Sequence, residues 1–307
     1  MKTSSKSKNV ALVLSSGGAR GLAHIGVIDE LQTRGYNITS IAGSSMGALV
    51  GGLLAAGKLN DFRDWVITLN KKDVLSLIDF TLTTKGFVKG EKVFERMSKL
   101  NLIPEINIED LLIPYAAVAV DVLNNKECIF QSGSLLKAIR ASISIPSVFT
   151  PVTLNNGLLV DGGVLNPLPL KHVKRNNGDL LVAVDLNSLN AYEKPKLTKK
   201  KTQTENHNER LAALVQKWDE LFGHTQNDKS KEKKKTTQQS IGYFDVLMRS
   251  VLLMQSKLTA YSMEITPPDL LIPISKDSST VFEFYKAEEL IAYGKEMCSK
   301  ALDAKGL

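Results

Sequence analysis

Ile38-Thr-Ser-Ile-Ala42-Gly43-Ser44-Ser45-Met46-Gly47 reads as an apolar strand running straight into a GxSxG pentapeptide, and the small and apolar residues that follow, as far as Gly57, read as a helix. Between a buried strand and a helix, GxSxG makes a tight and partly strained turn. Side chains two positions before and two after the serine have no room. Gly43 and Gly47 are therefore expected to form a nucleophile elbow that leaves the Ser45 hydroxyl exposed at the strand end. A helix N-terminus there favours developing negative charge. Taken alone, the pentapeptide could equally be a structural glycine turn; its flanks give it weight.

Working outward, Val10-Ala-Leu-Val-Leu14 is a continuous apolar run of the kind buried on both faces of a parallel sheet. It ends in Ser15-Ser16-Gly17-Gly18-Ala19-Arg20-Gly21, and a helix follows with Leu22, Ile25, Val27, Ile28 and Leu31 on its apolar side, closed by Gly35. Strand, helix, strand, helix opens a doubly wound α/β sheet. Further on, helices are expected at 60–70 and 90–100. A strand at 115–122 is followed by an Asn124-Asn125 turn, a returning strand at 127–131 and a short helix at 135–141. The segment 151–154 turns at Asn155-Asn156-Gly157 into a strand capped by Asp161-Gly162-Gly163; the next strand covers 179–186, and a helix (241–264), a strand (269–274) and a final helix (282–302) complete the chain. This reads as one domain, 8–303, carrying a basic insertion at about 194–240.

Of 307 residues, 43% are hydrophobic and 23% charged, the balance of a soluble globular protein. The net charge of +7 is concentrated: residues 194–235 hold twelve Lys/Arg and six Asp/Glu, so +6 of it belongs to that one segment. Within it, Leu211, Leu214, Val215, Trp218, Leu221 and Phe222 follow helical spacing. Cys128 and Cys298 stand in no CxxC or Cys/His cluster, so neither a metal site nor a disulfide framework is expected. The N-terminal apolar run is too short for a secretory signal, and the apolar stretch 46–57 is too short to span a bilayer. The expectation is a cytoplasmic protein.

Three further features bear on chemistry. The loop Ser16–Gly21 follows a strand and opens a helix, so its amides converge on an anion. It suits either a dinucleotide phosphate or an oxyanion beside Ser45; Ser16 breaks the GxGxxG spacing, and no acidic residue near 38–40 is placed for a ribose. Arg20 either adds positive charge there or pairs at the surface. Asp161 closes an apolar strand, where it is either an ordinary Asx turn or a strand-end carboxylate beside Ser45, as at the carboxyl ends of a parallel sheet. The histidines are His24, His172, His207 and His224. Only His172 follows Asp161 in hydrolase order outside the insertion, at eleven residues' distance, so a Ser/Asp dyad is a better hypothesis than a triad.

Ser16-Gly-Gly-Ala-Arg-Gly-Leu-Ala-His-Ile-Gly-Val27, Gly43-Ser-Ser-Met-Gly47, Ala141-Ser-Ile-Ser-Ile-Pro146 and Asp161-Gly-Gly163 occur in that order, and together they resemble the four sequence blocks of bacterial patatin-like phospholipases. The resemblance covers roughly 8–190 and resumes at 241–303. It implies a three-layer α/β/α sandwich around a mainly parallel sheet, with Ser45 as nucleophile and Asp161 as its base. It also implies an oxyanion hole at Gly17, Gly18 and Ala19, with Arg20 at the family's basic position, and ester hydrolysis of phospholipids or related lipids without metal or other cofactor. Many members carry glycine where this chain has Ser16; the lysine-rich insertion has no counterpart.

The expected partner is thus a phospholipid or other fatty acyl ester. The segment 194–238 suits peripheral contact with an anionic membrane; nucleic-acid binding is not expected, since no recognised module accompanies the charge. Two alternatives share these residues: acyl transfer to an acceptor other than water, and lipid binding or regulation without turnover.

Overall fold

The computed structural model describes residues 8–77, 91–146, 148–196 and 243–307. The insertion's expected amphipathic helix and lysine runs fall outside the described residues, apart from Lys194 and Lys196 at its start. Eight strands form one sheet: β1 (Asn9–Leu14), β2 (Asn37–Ser44), β3 (Tyr115–Asp121), β4 (Lys126–Phe130), β5 (Val152–Leu154), β6 (Gly157–Asp161), β7 (Leu180–Ser188) and β8 (Leu270–Ser275). Their order is β5-β6-β3-β2-β1-β7-β8, with β4 paired to β3 off that path. The pairs β1–β2, β1–β7, β2–β3 and β7–β8 are parallel, whereas β4, β5 and β6 add antiparallel pairs at the β3 end.

Alternation along the central strands sorts side chains into two layers. Val10, Leu12, Leu14, Val182, Val184 and Leu186 face a large core shared with α1 (Ala23–Thr33), α2 (Met46–Ala55) and a C-terminal helix running Ala287–Lys305. Ala11, Val13, Leu181 and Ala183 face a smaller one, closed by Leu168, Leu170 and Met263, the last on the helix Tyr243–Ile265. Helices on both faces of a mainly parallel sheet make the three-layer arrangement. The remaining described helices are α3 (Leu59–Val66), α4 (Lys71–Leu77), α5 (Glu91–Lys99) and α6 (Leu135–Ser142); Tyr243–Ile265 is α7 and Ala287–Lys305 is α8.

The helix expected over 60–70 ends early, at Val66, and a separate short helix, α4, begins at Lys71. Asn70 Oδ1 accepts from the amides of Lys72 and Asp73, and the Asp73 carboxylate accepts from the Asn70 amide at 3.0 Å. This reciprocal cap starts α4. The last helix begins at Ala287, five residues later than expected, after a 3-10 turn at Phe284–Lys286. The asparagine turns are as read: Asn125, Asn155 and Asn156 all have positive φ.

One detail of topology builds the site. Residues Ala119–Asp121 of β3 pair with both β4 and β6, while Ala117 and Val118 pair with both β4 and β2. A strand has two edges, so β2 and β6 share the edge opposite β4. β2 ends with Ser44 across from Val118; β6, running the other way, ends with Asp161 across from Ala119. Their carboxyl ends therefore abut on neighbouring residues of one template strand. Asp161 was expected at the carboxyl end of a strand lying parallel with its neighbour. It arrives instead on an antiparallel strand, meeting β2 end to end.

Candidate active site

β2 hands over to α2 through Ser45 alone, at φ 57° and ψ −123°. This backbone conformation is strained for a residue with a side chain, and such strain concentrates at functional sites. The flanking glycines are obligatory. A Cβ on Gly47 would lie 2.1 Å from the Leu14 carbonyl oxygen, and one on Gly43 would lie 2.4 Å from the Gly47 carbonyl group. The obstacles are backbone, so the turn has no other solution.

Ser45 is 2% exposed and Asp161 4%. Ser45 Oγ donates to Asp161 Oδ2 at 2.5 Å, and Asp161 Oδ1 accepts from the Gly163 amide at 2.7 Å. Burial pushes the Asp161 carboxyl up to about 7, against the pull of the hydrogen bonds from Ser45 and Gly163. Near neutrality the carboxylate is therefore a far stronger base than an exposed one.

The block Ala141–Pro146 supports both residues. Ser142 Oγ accepts from the Ser45 amide at 2.9 Å and donates to the Val118 carbonyl at 2.6 Å. Two residues on, the Ser144 carbonyl accepts from the Asp161 amide at 2.9 Å. Sequence reading quoted this block without assigning it a role; its alternating Ser-Ile-Ser-Ile pattern, polar inside an apolar context, was the available signal.

The glycine loop lies beside Ser45, and its members differ. The Ala19 amide already donates to the Val281 carbonyl at 2.9 Å, unlike its expected role as an oxyanion donor. Among the described residues, no carbonyl accepts from the amides of Gly17 or Gly18. Gly18 has φ 57°, while Ser16 does not need a positive φ, so serine is tolerated where many family members carry glycine. Arg20 does not pair at the surface; it lines the small cavity beside Ser45 and Asp161. It is buried and donates to the Ser279 and Lys276 carbonyls and to Asn187 Oδ1, while Asn187 Nδ2 donates to the Ser16 carbonyl. Burial lowers its guanidinium to about 10, with Asp185 and Asp277 opposing that fall. These contacts make it a brace between the glycine loop and the loop after β8.

No described histidine lines the cavities at Ser45. His24 is fully buried, with Nε2 3.0 Å from the Ser15 carbonyl, and burial lowers it to about 4. It is a neutral ring anchoring the end of β1. His172 Nε2 lies 3.0 Å from Glu127 Oε2 on the hairpin strand β4. His207 and His224 fall outside the described residues.

Ser45 sits where two cavities meet. One is lined, apart from Ser45 itself, by Gly18 and apolar side chains that include Leu49, Phe62, Trp65, Val66, Met97 and Phe149. The other is small, about 50 Å³; its lining includes Ser16, Gly17, Gly18, Arg20 and Asp161, the apolar Ile145, Pro146, Val164 and Val281 and, from α7, Val251, Leu252 and Gln255. Among the described residues there is no His/Cys/Asp/Glu cluster able to hold a metal, and no helix long and apolar enough to cross a membrane.

The family model described as "Patatin-like phospholipase" matches residues 12–174. An uncharacterized NTE family protein of Mycobacterium tuberculosis is 36% identical over 98% of this chain and 93% of its own length. The protein named lysophospholipase NTE1 of Scheffersomyces stipitis is 32% identical over 58% of this chain, a region making up 12% of that much longer protein. The structure of VipD from Legionella pneumophila aligns with 97% of this chain and 67% of its own at 15% identity and a TM-score of 0.47, too low to bear on function.

Proposed function

The chain belongs to the patatin-like phospholipase family, whose members are carboxylic ester hydrolases, and from that premise we propose that it hydrolyses fatty acyl esters of phospholipids or lysophospholipids, with Ser45 as nucleophile and Asp161 as general base. The observation that carries this reading is the 2.5 Å contact between Ser45 Oγ and Asp161 Oδ2 at the foot of an apolar cavity. The cavity takes the acyl chain and presents its carbonyl to the serine.

Asp161 accepts the Ser45 proton as Oγ attacks the ester carbonyl. Negative charge develops on the carbonyl oxygen beside the free amides of Gly17 and Gly18 and the N-terminus of α2. Each such donor contributes about 100–1000-fold in rate where it has been removed in other enzymes. Asp161 then returns the proton to the leaving alcohol, and an acyl-Ser45 ester remains. Water, deprotonated by the same carboxylate, releases the fatty acid.

Ser45→Ala and Asp161→Asn are expected to fold and to lose hydrolysis of both a lysophospholipid and p-nitrophenyl butyrate. Full turnover by either variant rejects the dyad.

A second observation favours work at a lipid surface. While Val251 and Leu252 of α7 line the small cavity, Leu253, Met254 and Tyr261 of the same helix are more than half exposed, alongside the exposed cations Arg249 and Lys257. Apolar side chains mixed with basic ones beside a catalytic mouth suit contact with an anionic bilayer.

A further inference from the structure

The reaction proposed above needs a water molecule held at the acyl-enzyme, and the structure assigns that task to Ser16: we propose that its hydroxyl positions the deacylating water. This rests on Ser45 and Asp161 acting as the dyad.

Ser16 is 2% exposed, and its Oγ is buried with no hydrogen-bond partner among the described residues. A buried hydroxyl left unpaired is costly, so an orphan beside a reactive pair calls for a ligand. The residue lines the small cavity that also holds Ser45 and Asp161. Its position there is fixed on two sides. Its amide donates to the Pro167 carbonyl at 2.9 Å, and its carbonyl accepts from Asn187 Nδ2, which Arg20 holds in turn. The side chain lies against Gly163: a Cβ built on that glycine would fall 2.7 Å from Ser16 Oγ and 2.7 Å from Gln255 Nε2. Gly163 is the residue whose amide holds Asp161 Oδ1, and its carbonyl accepts from Gln255 Nε2 at 3.1 Å. Ser16 Oγ and Gln255 Nε2 thus lie on the same side of Gly163, whose amide holds the Asp161 carboxylate, and all three residues line or adjoin the small cavity.

The polar groups that converge on the cavity from the side of Ser16 suit a water. About 50 Å³ is room enough for a water, and a buried water needs two to four polar partners. Ser16 Oγ, the Gln255 amide and Asp161 supply them, opposite the apolar cavity that takes the chain.

In the acyl-enzyme, the water oxygen bonds to the acyl carbonyl carbon and its proton passes to Asp161. The carbon–Ser45 Oγ bond then breaks, Oγ recovers that proton, and the fatty acid leaves. Ser16 takes no proton. It is a positioning residue, and it acts on the second half of the reaction only.

The test is rapid-mixing hydrolysis of p-nitrophenyl butyrate by the full chain and by Ser16→Gly and Ser16→Ala, with thermal melts of each. The expected result is a p-nitrophenolate burst close to one per enzyme at the wild-type acylation rate, followed by turnover about tenfold slower than wild type. With added methanol, the ratio of methyl ester to free acid rises in both variants. Unchanged deacylation in a folded variant overturns the proposal, as does an equal slowing of acylation, which would make Ser16 an oxyanion donor. Ser45→Ala, run in parallel, must show no burst; a burst there would fault the dyad itself and not the role of Ser16.

Discussion

The Ser45 amide donates to Ser142 Oγ at 2.9 Å, and that hydroxyl donates onward to the Val118 carbonyl at 2.6 Å. Ser142 thereby ties the strained residue of the elbow to β3, the strand on which β2 and β6 abut. Removing its hydroxyl leaves a buried N–H and a buried carbonyl unpaired, at a cost of about 1–3 kcal/mol. Ser142→Ala is therefore expected to lower the melting temperature by several degrees. It should also lower kcat by at least tenfold with KM little changed, because the error falls on the placement of Oγ and not on the apolar cavity. Steady-state kinetics on p-nitrophenyl butyrate check this; wild-type kcat would mean that the elbow holds its shape without the brace.

The position of Asp161 sets a pH dependence. Its carboxyl is raised to about 7, chiefly by burial. A general base must be ionised, so kcat/KM should climb as pH rises through about 7 and level off above 8. An exposed aspartate would already be fully active at pH 5. A profile flat from pH 5 to 8 would show that the carboxylate ionises as freely as an exposed one.

The same burial predicts a stability cost. Asp161 is raised in the folded state and ordinary in the unfolded one, so the fold binds the proton more tightly. Its favourable contribution is complete below the unfolded value near 3.8 and is lost as pH rises through about 7. Asp161→Asn carries no charge to bury. The variant should therefore melt higher than wild type at pH 8, with the gap shrinking between pH 7 and pH 4. Paired melts across that range measure it; a gap that widens on acidification contradicts the sign.

Most of this site could be read along the chain, for a reason its residues make plain. Gly43, Ser45 and Gly47 are constrained by contacts within five positions and with the adjacent β1, so their pattern is local. The Asp161-Gly-Gly163 turn is equally local. What sequence reading missed is carried by partners distant in the chain. The guanidinium of Arg20 borders the small cavity, but its acceptors, Ser279 and Asn187, lie far along the chain. The Ala19 amide looks free until the Val281 carbonyl arrives. The direction of β6 was hidden as well, because an apolar five-residue strand reads the same whether it runs with its neighbour or against it. The cap at Asn70 and Asp73, by contrast, was legible and passed over.

The exposed side of α7 supplies a last test, one that separates chemistry from access to substrate. Leu253 and Met254 are 64% and 56% exposed, while Val251 and Leu252, just before them, face the small cavity. Burying two such side chains in a bilayer stabilises contact by about 3–5 kcal/mol, and Arg249 and Lys257 add attraction to anionic headgroups. A Leu253→Asp/Met254→Asp double variant replaces that gain with two charges that an anionic surface repels. Sedimentation with phosphatidylserine-containing vesicles should fall at least tenfold, and hydrolysis of vesicle lipid should fall with it. Turnover of soluble p-nitrophenyl butyrate should stay within twofold of wild type, since neither side chain touches Ser45 or lines the acyl cavity. Equal losses on both substrates would place the damage in the catalytic cavity, and undiminished vesicle binding would move the lipid-facing surface elsewhere on the molecule.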